Sequence, residues 1–113
     1  MDVLLKTLEG KLTEDDIHYD EDTALCVVLA SKGYPLSYKK NIDVTQVFTN
    51  APSGVKIYAY ASEAKDGRIY SKGGRVLSVV ASGAYDEVFT KVYGYLDELQ
   101  EPDLIFRKDI GRI

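Results

Sequence analysis

The apolar positions of this chain change spacing several times, and each change marks an element. Val3, Leu4, Leu5 and Leu8 recur at helical spacing and stop at Gly10, which predicts a short helix. The acidic stretch from Thr13 to Asp22 reads as a solvated connector, with room for a helical turn capped by Thr13. Thr23 to Ala30 is a continuous apolar run with β-branched content, and its length predicts a buried strand with the Cys26 thiol inside. Lys32-Gly33-Tyr34-Pro35 then breaks the pattern as a loop. Ile42 to Phe48 reads as a second strand, and Asn50 to Gly54 as a loop. Val55 to Tyr60 alternates as a half-buried strand does. Asp66-Gly67 favours a tight turn into Arg68-Ile69-Tyr70, so these two segments read as a hairpin. Arg75 to Ala81 is the next strand. Ala84 to Leu99 is the one long helix, with Val88, Val92 and Leu96 on one stripe flanked by Phe89, Tyr93 and Leu99. Gly94 weakens its interior. Beyond Pro102, Leu104-Ile105-Phe106 makes a short last strand.

This order predicts one α+β domain over residues 1–113. Its sheet is expected to be mainly antiparallel and curled, barrel-like, with the long helix packed on it. The chain is long enough for a single core. With 45% apolar and 28% charged residues it has the composition of an ordinary soluble globular protein. No apolar run reaches the length of a bilayer span, and the acidic opening is no signal peptide. A net charge of −4 argues against general nucleic-acid binding. Lys39-Lys40 and Lys72 to Arg75 are local basic points that suit a small anion. One cysteine allows no internal disulfide, which fits a reducing, cytoplasmic setting.

Several chemistries lack their residues. His18 is the only histidine and lies in an acidic loop, so no catalysis is assigned to it and no metal-ligand spacing forms around it. There is no P-loop, dinucleotide fingerprint or nucleophile elbow. Tyr58, Tyr60 and Tyr70 alternate with smaller residues and read as sheet packing. The candidate that remains is Gly73-Gly74-Arg75. Two glycines let the backbone pass close to another group, and the arginine offers a planar charged fork for a phosphate or carboxylate. The alternatives are a strand-end arginine paired with a local carboxylate, and glycines that merely form a β-bulge. Lys72 reads as a solvated lysine.

Gly-Gly-Arg gains specificity in company. Lys32-Gly33-Tyr34-Pro35, Ser71-Lys72-Gly73-Gly74-Arg75-Val76-Leu77 and Arg107-Lys108-Asp109-Ile110-Gly111, in this order, resemble the carboxy-terminal domain of the phosphoribosylamine–glycine ligase (glycinamide ribonucleotide synthetase) family. The likeness begins near Glu9-Gly10-Lys11-Leu12 and runs through Tyr19-Asp20-Glu21 to the end. It departs at Leu36, where the family commonly has glycine and where a positive φ would strain leucine. It departs again after Gly111, where only Arg112 and Ile113 remain.

The resemblance implies a closing domain related to those of other ATP-grasp enzymes, of the single-hybrid-motif type. Residues 1–12 would be a remnant of the preceding helix and linker. Arg75, with Gly73 and Gly74, would face the ribose 5-phosphate of phosphoribosylamine or glycinamide ribonucleotide. Tyr34 would face the cleft or pack. Arg107 would reach the cleft, or pair with Asp109 to tie down the last strand. ATP and magnesium would be held by an ATP-grasp unit that, like the amino-terminal domain, does not fit in 113 residues. This chain alone is therefore expected to lack ligase activity, cofactor and catalytic residue, and to meet the other two domains as partners. The rival is a stand-alone binding module that keeps the fold. The two differ at the surface, since a severed domain exposes the apolar face that met its neighbours.

Overall fold

A computed structural model describes residues 1–112, and Ile113 lies outside the described residues. Its centre is the antiparallel pair of β1 (Thr23–Ser31) and β5 (Arg75–Gly83). Both strands are nine residues long and rich in Val, Leu and Ala, residues that fill a pleated surface well. β2 (Lys56–Ala59) flanks β5 and β6 (Leu104–Ile105) flanks β1, so the strand order is β2-β5-β1-β6. β3 (Ser62–Lys65) and β4 (Arg68–Ser71) form a separate two-stranded ribbon.

One face of the large sheet carries Leu25, Val27 and Leu29 opposite Ala81, Val79 and Leu77. Helix α3 (Tyr85–Glu98) packs on that face and buries Val88, Val92, Tyr93, Tyr95 and Leu96. The expected helical stripe is therefore its core side. Buried polar groups are matched as they must be. The Ser31 hydroxyl donates to the Lys39 carbonyl, and the Tyr95 hydroxyl donates to that of Val47. The Ser71 hydroxyl oxygen accepts from the Ile42 amide at 2.9 Å.

Four expectations need correction. Cys26 is exposed, because β1 is covered on one face only and its even-numbered residues point away from α3. Ile42 to Phe48 is no strand. It makes one bridge, from Asp43 to Tyr70, and then turns into helix α2 (Thr45–Thr49). The Asp43 carboxylate accepts from the Thr45 amide at 3.0 Å and from its hydroxyl at 2.6 Å, and such local bonding competes with a strand ladder. The Asp66-Gly67 turn forms, with both residues at positive φ, but it joins β4 to β3 rather than to the 55–60 segment, which pairs with β5. Finally, the antiparallel sheets do not close into a barrel. β6 is two residues long, and among the described residues the β3–β4 ribbon shares a single isolated β-bridge with the chain outside it and no ladder with the larger sheet, too little strand pairing to close a ring.

Helix α1 (Asp2–Leu8) stands apart from this core and has no buried residue. Lys6 pairs with Asp16 in a 3₁₀ turn (Glu14–Asp16), where Asp16 also accepts from the Thr13 amide and hydroxyl.

Candidate functional site

The face of the sheet away from α3 is the candidate site. Register places Cys26 beside Val80 and Lys56, Val28 beside Ser78 and Tyr58, and Ala30 beside Arg75 and Ile105. Val28 and Ile105 are large apolar side chains that remain 37% and 43% exposed, and Tyr58 is 52% exposed. Tyr34, Phe106 and Arg107 join Val28, Ala30 and Ile105 in a shallow, mainly apolar groove.

Arg75 opens β5 at one edge of this face. The ladder is irregular here: Leu29 pairs with Leu77 but Ala30 pairs with Arg75, so Val76 is an extra residue. This is a β-bulge, and it lies after the glycines rather than at them. Val76 and Leu77 are both buried, while Arg75 is exposed. Among the described residues no carboxylate pairs with Arg75. Its guanidinium instead lies 5.9 Å from the centre of the Tyr60 ring, in cation–π range.

The glycines before it are needed for approach. A Cβ on Gly74 would sit 2.1 Å from Cδ2 of Tyr34, and one on Gly73 would sit 2.8 Å from Cβ of Ala61. Neither has a positive φ. The Gly74 carbonyl still serves the ladder, accepting from the Ser31 amide at 2.8 Å.

The loop that carries Tyr34 is closed at several points. The Lys32 amide donates to the Asp103 carbonyl at 2.8 Å, and Lys39 Nζ meets the Asp103 carboxylate at 2.6 Å. Gly33 has φ +95°. Leu36 is 94% exposed and is not among the non-glycine residues at positive φ, so the leucine is unstrained.

Other sequence candidates lie in ion pairs. Arg107 holds Asp109 through both carboxylate oxygens, at 2.9 and 2.5 Å, which keeps the Asp109 carboxyl below its usual range. Arg107 also borders the groove, so the structure brings it and Tyr34 together and Tyr34 against Gly74. Lys72 is not merely solvated. It bonds to Asn41 and Glu63, each at 2.7 Å, and pulls the Glu63 carboxyl down. Arg112 lies over Phe89 and Tyr93. Among the described residues no group of three or more His, Cys, Asp or Glu is placed to hold a metal ion. No described helix is long and apolar enough to cross a membrane. Sequence reasoning missed the Tyr60–Arg75 contact, whose only trace is an aromatic ending the 55–60 alternation.

The profile described as the C domain of phosphoribosylglycinamide synthetase matches residues 24–113. The chain belongs to this family. Among curated relatives, it is 34% identical over 112 residues to a phosphoribosylamine–glycine ligase of Leptospira interrogans, covering 98% of this chain and 26% of the relative. It is 36% identical over 110 residues to that of Agrobacterium fabrum, covering 96% and 26%. The chloroplastic phosphoribosylamine–glycine ligase of Arabidopsis thaliana is 34% identical over 113 residues, covering 96% and 21%. A crystal structure of phosphoribosylamine–glycine ligase from Thermotoga maritima superposes with a TM-score of 0.75 at 28% identity, covering 96% of this chain and 26% of that one. The chain thus spans about a quarter of the length of the family members it matches. The fold expected from the order of elements, mixed and antiparallel with a packed helix, is the one found, without the barrel closure.

Proposed function

We propose that this chain is the substrate-closing domain of a cytoplasmic ligase that joins glycine to 5-phosphoribosylamine with ATP, in purine biosynthesis. In that reaction ATP phosphorylates the glycine carboxylate, and the amine of phosphoribosylamine displaces phosphate from the acyl phosphate. ATP and magnesium would belong to the ATP-grasp unit of the whole enzyme. Its part is positioning. Arg75, exposed and free of a carboxylate partner among the described residues, would hold the 5-phosphate, with Gly73 and Gly74 giving it open backbone. Tyr34 and Arg107 would line the adjoining groove. Holding the substrate this way removes part of the entropic barrier without proton transfer.

The single observation that carries the reading is this arginine, without a carboxylate partner among the described residues, at the rim of an exposed apolar sheet face. Val28, Tyr58 and Ile105 on that face support a domain made to meet neighbours, where a stand-alone module would be polar. The exposed α1 is consistent with residues 1–12 continuing a preceding unit.

The test grafts the domain onto an ATP-grasp parent of the family and measures kcat/KM for each substrate in turn. Arg75→Ala should cost on the order of 2 kcal/mol toward phosphoribosylamine and leave ATP and glycine nearly untouched. Arg75→Lys should recover little, since an ammonium lacks the fork. Equal losses toward all three substrates would end the phosphate role.

A further inference from the structure

We propose that Tyr34 and Tyr60 form a two-ring bracket that fixes the Gly74–Arg75 step and so aims the Arg75 guanidinium off the outer face of the sheet. Both are positioning residues, and the proposal rests on the reading of Arg75 as a phosphate ligand.

Two observations on opposite sides of the step carry it. The Tyr34 ring occupies the space where a side chain at position 74 would begin: Cδ2, Cε2 and Cγ would lie 2.1, 2.6 and 3.2 Å from a Cβ there. The ring therefore sits close against the Gly74 backbone, and the loop that carries it is pinned by the Lys32–Asp103 and Lys39–Asp103 contacts. On the other side the Tyr60 amide donates to the Val76 carbonyl at 2.9 Å, which anchors Tyr60 to the bulge itself. From that anchor its ring reaches the guanidinium at 5.9 Å. An arginine has a long, flexible stem, and holding it in one orientation beforehand lowers the cost of binding. The rings supply that order, Tyr34 by filling the space beside Gly74 and Tyr60 by its face. Neither phenol hydroxyl has a hydrogen-bond partner among the described residues, so the ring and not the hydroxyl is the working part of each.

The experiment uses the whole 113-residue chain, labelled with nitrogen-15, and two readouts. The first is the Arg75 Nε–Hε cross-peak, which senses the Tyr60 ring current. The second is titration with ribose 5-phosphate. Tyr60→Phe and Tyr34→Phe keep the rings, so both should retain the cross-peak shift and bind ribose 5-phosphate more tightly than the leucine and alanine variants below. Tyr60→Leu should remove the ring-current shift and weaken ribose 5-phosphate binding about threefold to tenfold. Gly74→Ala should move the cross-peak and weaken binding by at least as much, and if that variant does not fold, Tyr34→Ala replaces it, since it removes the ring without adding a clash. An unmoved cross-peak in Tyr60→Leu and in Gly74→Ala or Tyr34→Ala would overturn the bracket. So would phenylalanine variants as weak as the leucine and alanine ones, because the hydroxyls would then be the contact. Arg75→Ala keeps the two ideas apart. If it leaves ribose 5-phosphate binding intact, or if the unaltered chain binds none, the phosphate reading fails while the cross-peak still decides the bracket.

Discussion

At Gly33 a Cβ would sit 1.8 Å from the Ser37 carbonyl oxygen, and φ is +95°, so backbone conformation and space both demand glycine. At Gly74 φ is ordinary and only the Tyr34 ring stands in the way. The two glycines should therefore respond differently to alanine. Gly33→Ala should lower stability by about 2 kcal/mol or more in a denaturant titration, and no second change nearby should restore it, since the obstacle is main chain. Gly74→Ala should be costly alone and mild in a Tyr34→Ala background, a non-additivity that a double-mutant cycle reads directly. Cys26 differs again. Its thiol lies on the uncovered face, so a disulfide reagent should label the native chain nearly as fast as the unfolded one. Slow native labelling would mean that something covers that face. The sequence led to the opposite expectation because Ala24 to Ala30 is apolar throughout, and an apolar run does not say whether one face of a strand or both are covered.

Helix α3, the separate strands β1 and β5 and the presence of a turn at Asp66-Gly67 were legible because period, length and turn chemistry agree there, but which strands pair was not. The 42–48 segment was not, since Val44, Val47 and Phe48 suit either element and a single side chain tips the balance. Asp43 accepts two bonds from Thr45 and one from Arg68, and these hold its carboxyl down at about 2, below its ordinary 3.8. A carboxylate held low in the folded chain adds stability that is fully present above pH 3.8 and is lost as pH falls through about 2. The Thr45 hydroxyl also accepts from the Ile69 amide at 2.9 Å, so this cluster joins α2 to the β3–β4 ribbon. Amide exchange in that ribbon should accelerate over this acid range before the β1–β5 pair responds, and Asp43→Asn should flatten the dependence. In α3, a Cβ on Gly94 would meet nothing within 4 Å and the residue is exposed. Gly94→Ala should stabilise the chain by about 0.5–1 kcal/mol, readable as a higher Tm.

Over the whole molecule the core lies between α3 and one side of a four-stranded sheet, while α1 and the other side carry exposed apolar groups. Removing residues 1–10 should therefore change the unfolding free energy by less than about 1 kcal/mol. A larger loss would show that α1 is part of the cooperative unit. The candidate site was partly legible: the Gly-Gly-Arg and Gly-Tyr-Pro blocks stand out in the sequence, but their contact through one ring, and the bulge between them and the core, depend on tertiary register. That bulge makes the site sensitive to chain length in one direction only. Counted by strict alternation from Leu77, Arg75 would share the core side with Val79, and the extra Val76 is what turns it outward. Deleting Val76 would leave Leu77 opposite Leu29 and Arg75 opposite Ala30, at the cost of one buried valine. Inserting a residue between Leu29 and Ala30 would give Val76 a partner and restore an unbroken ladder, yet it would swing the arginine into the core. At this point the domain can lose a residue and keep its outward charge, but it cannot gain one.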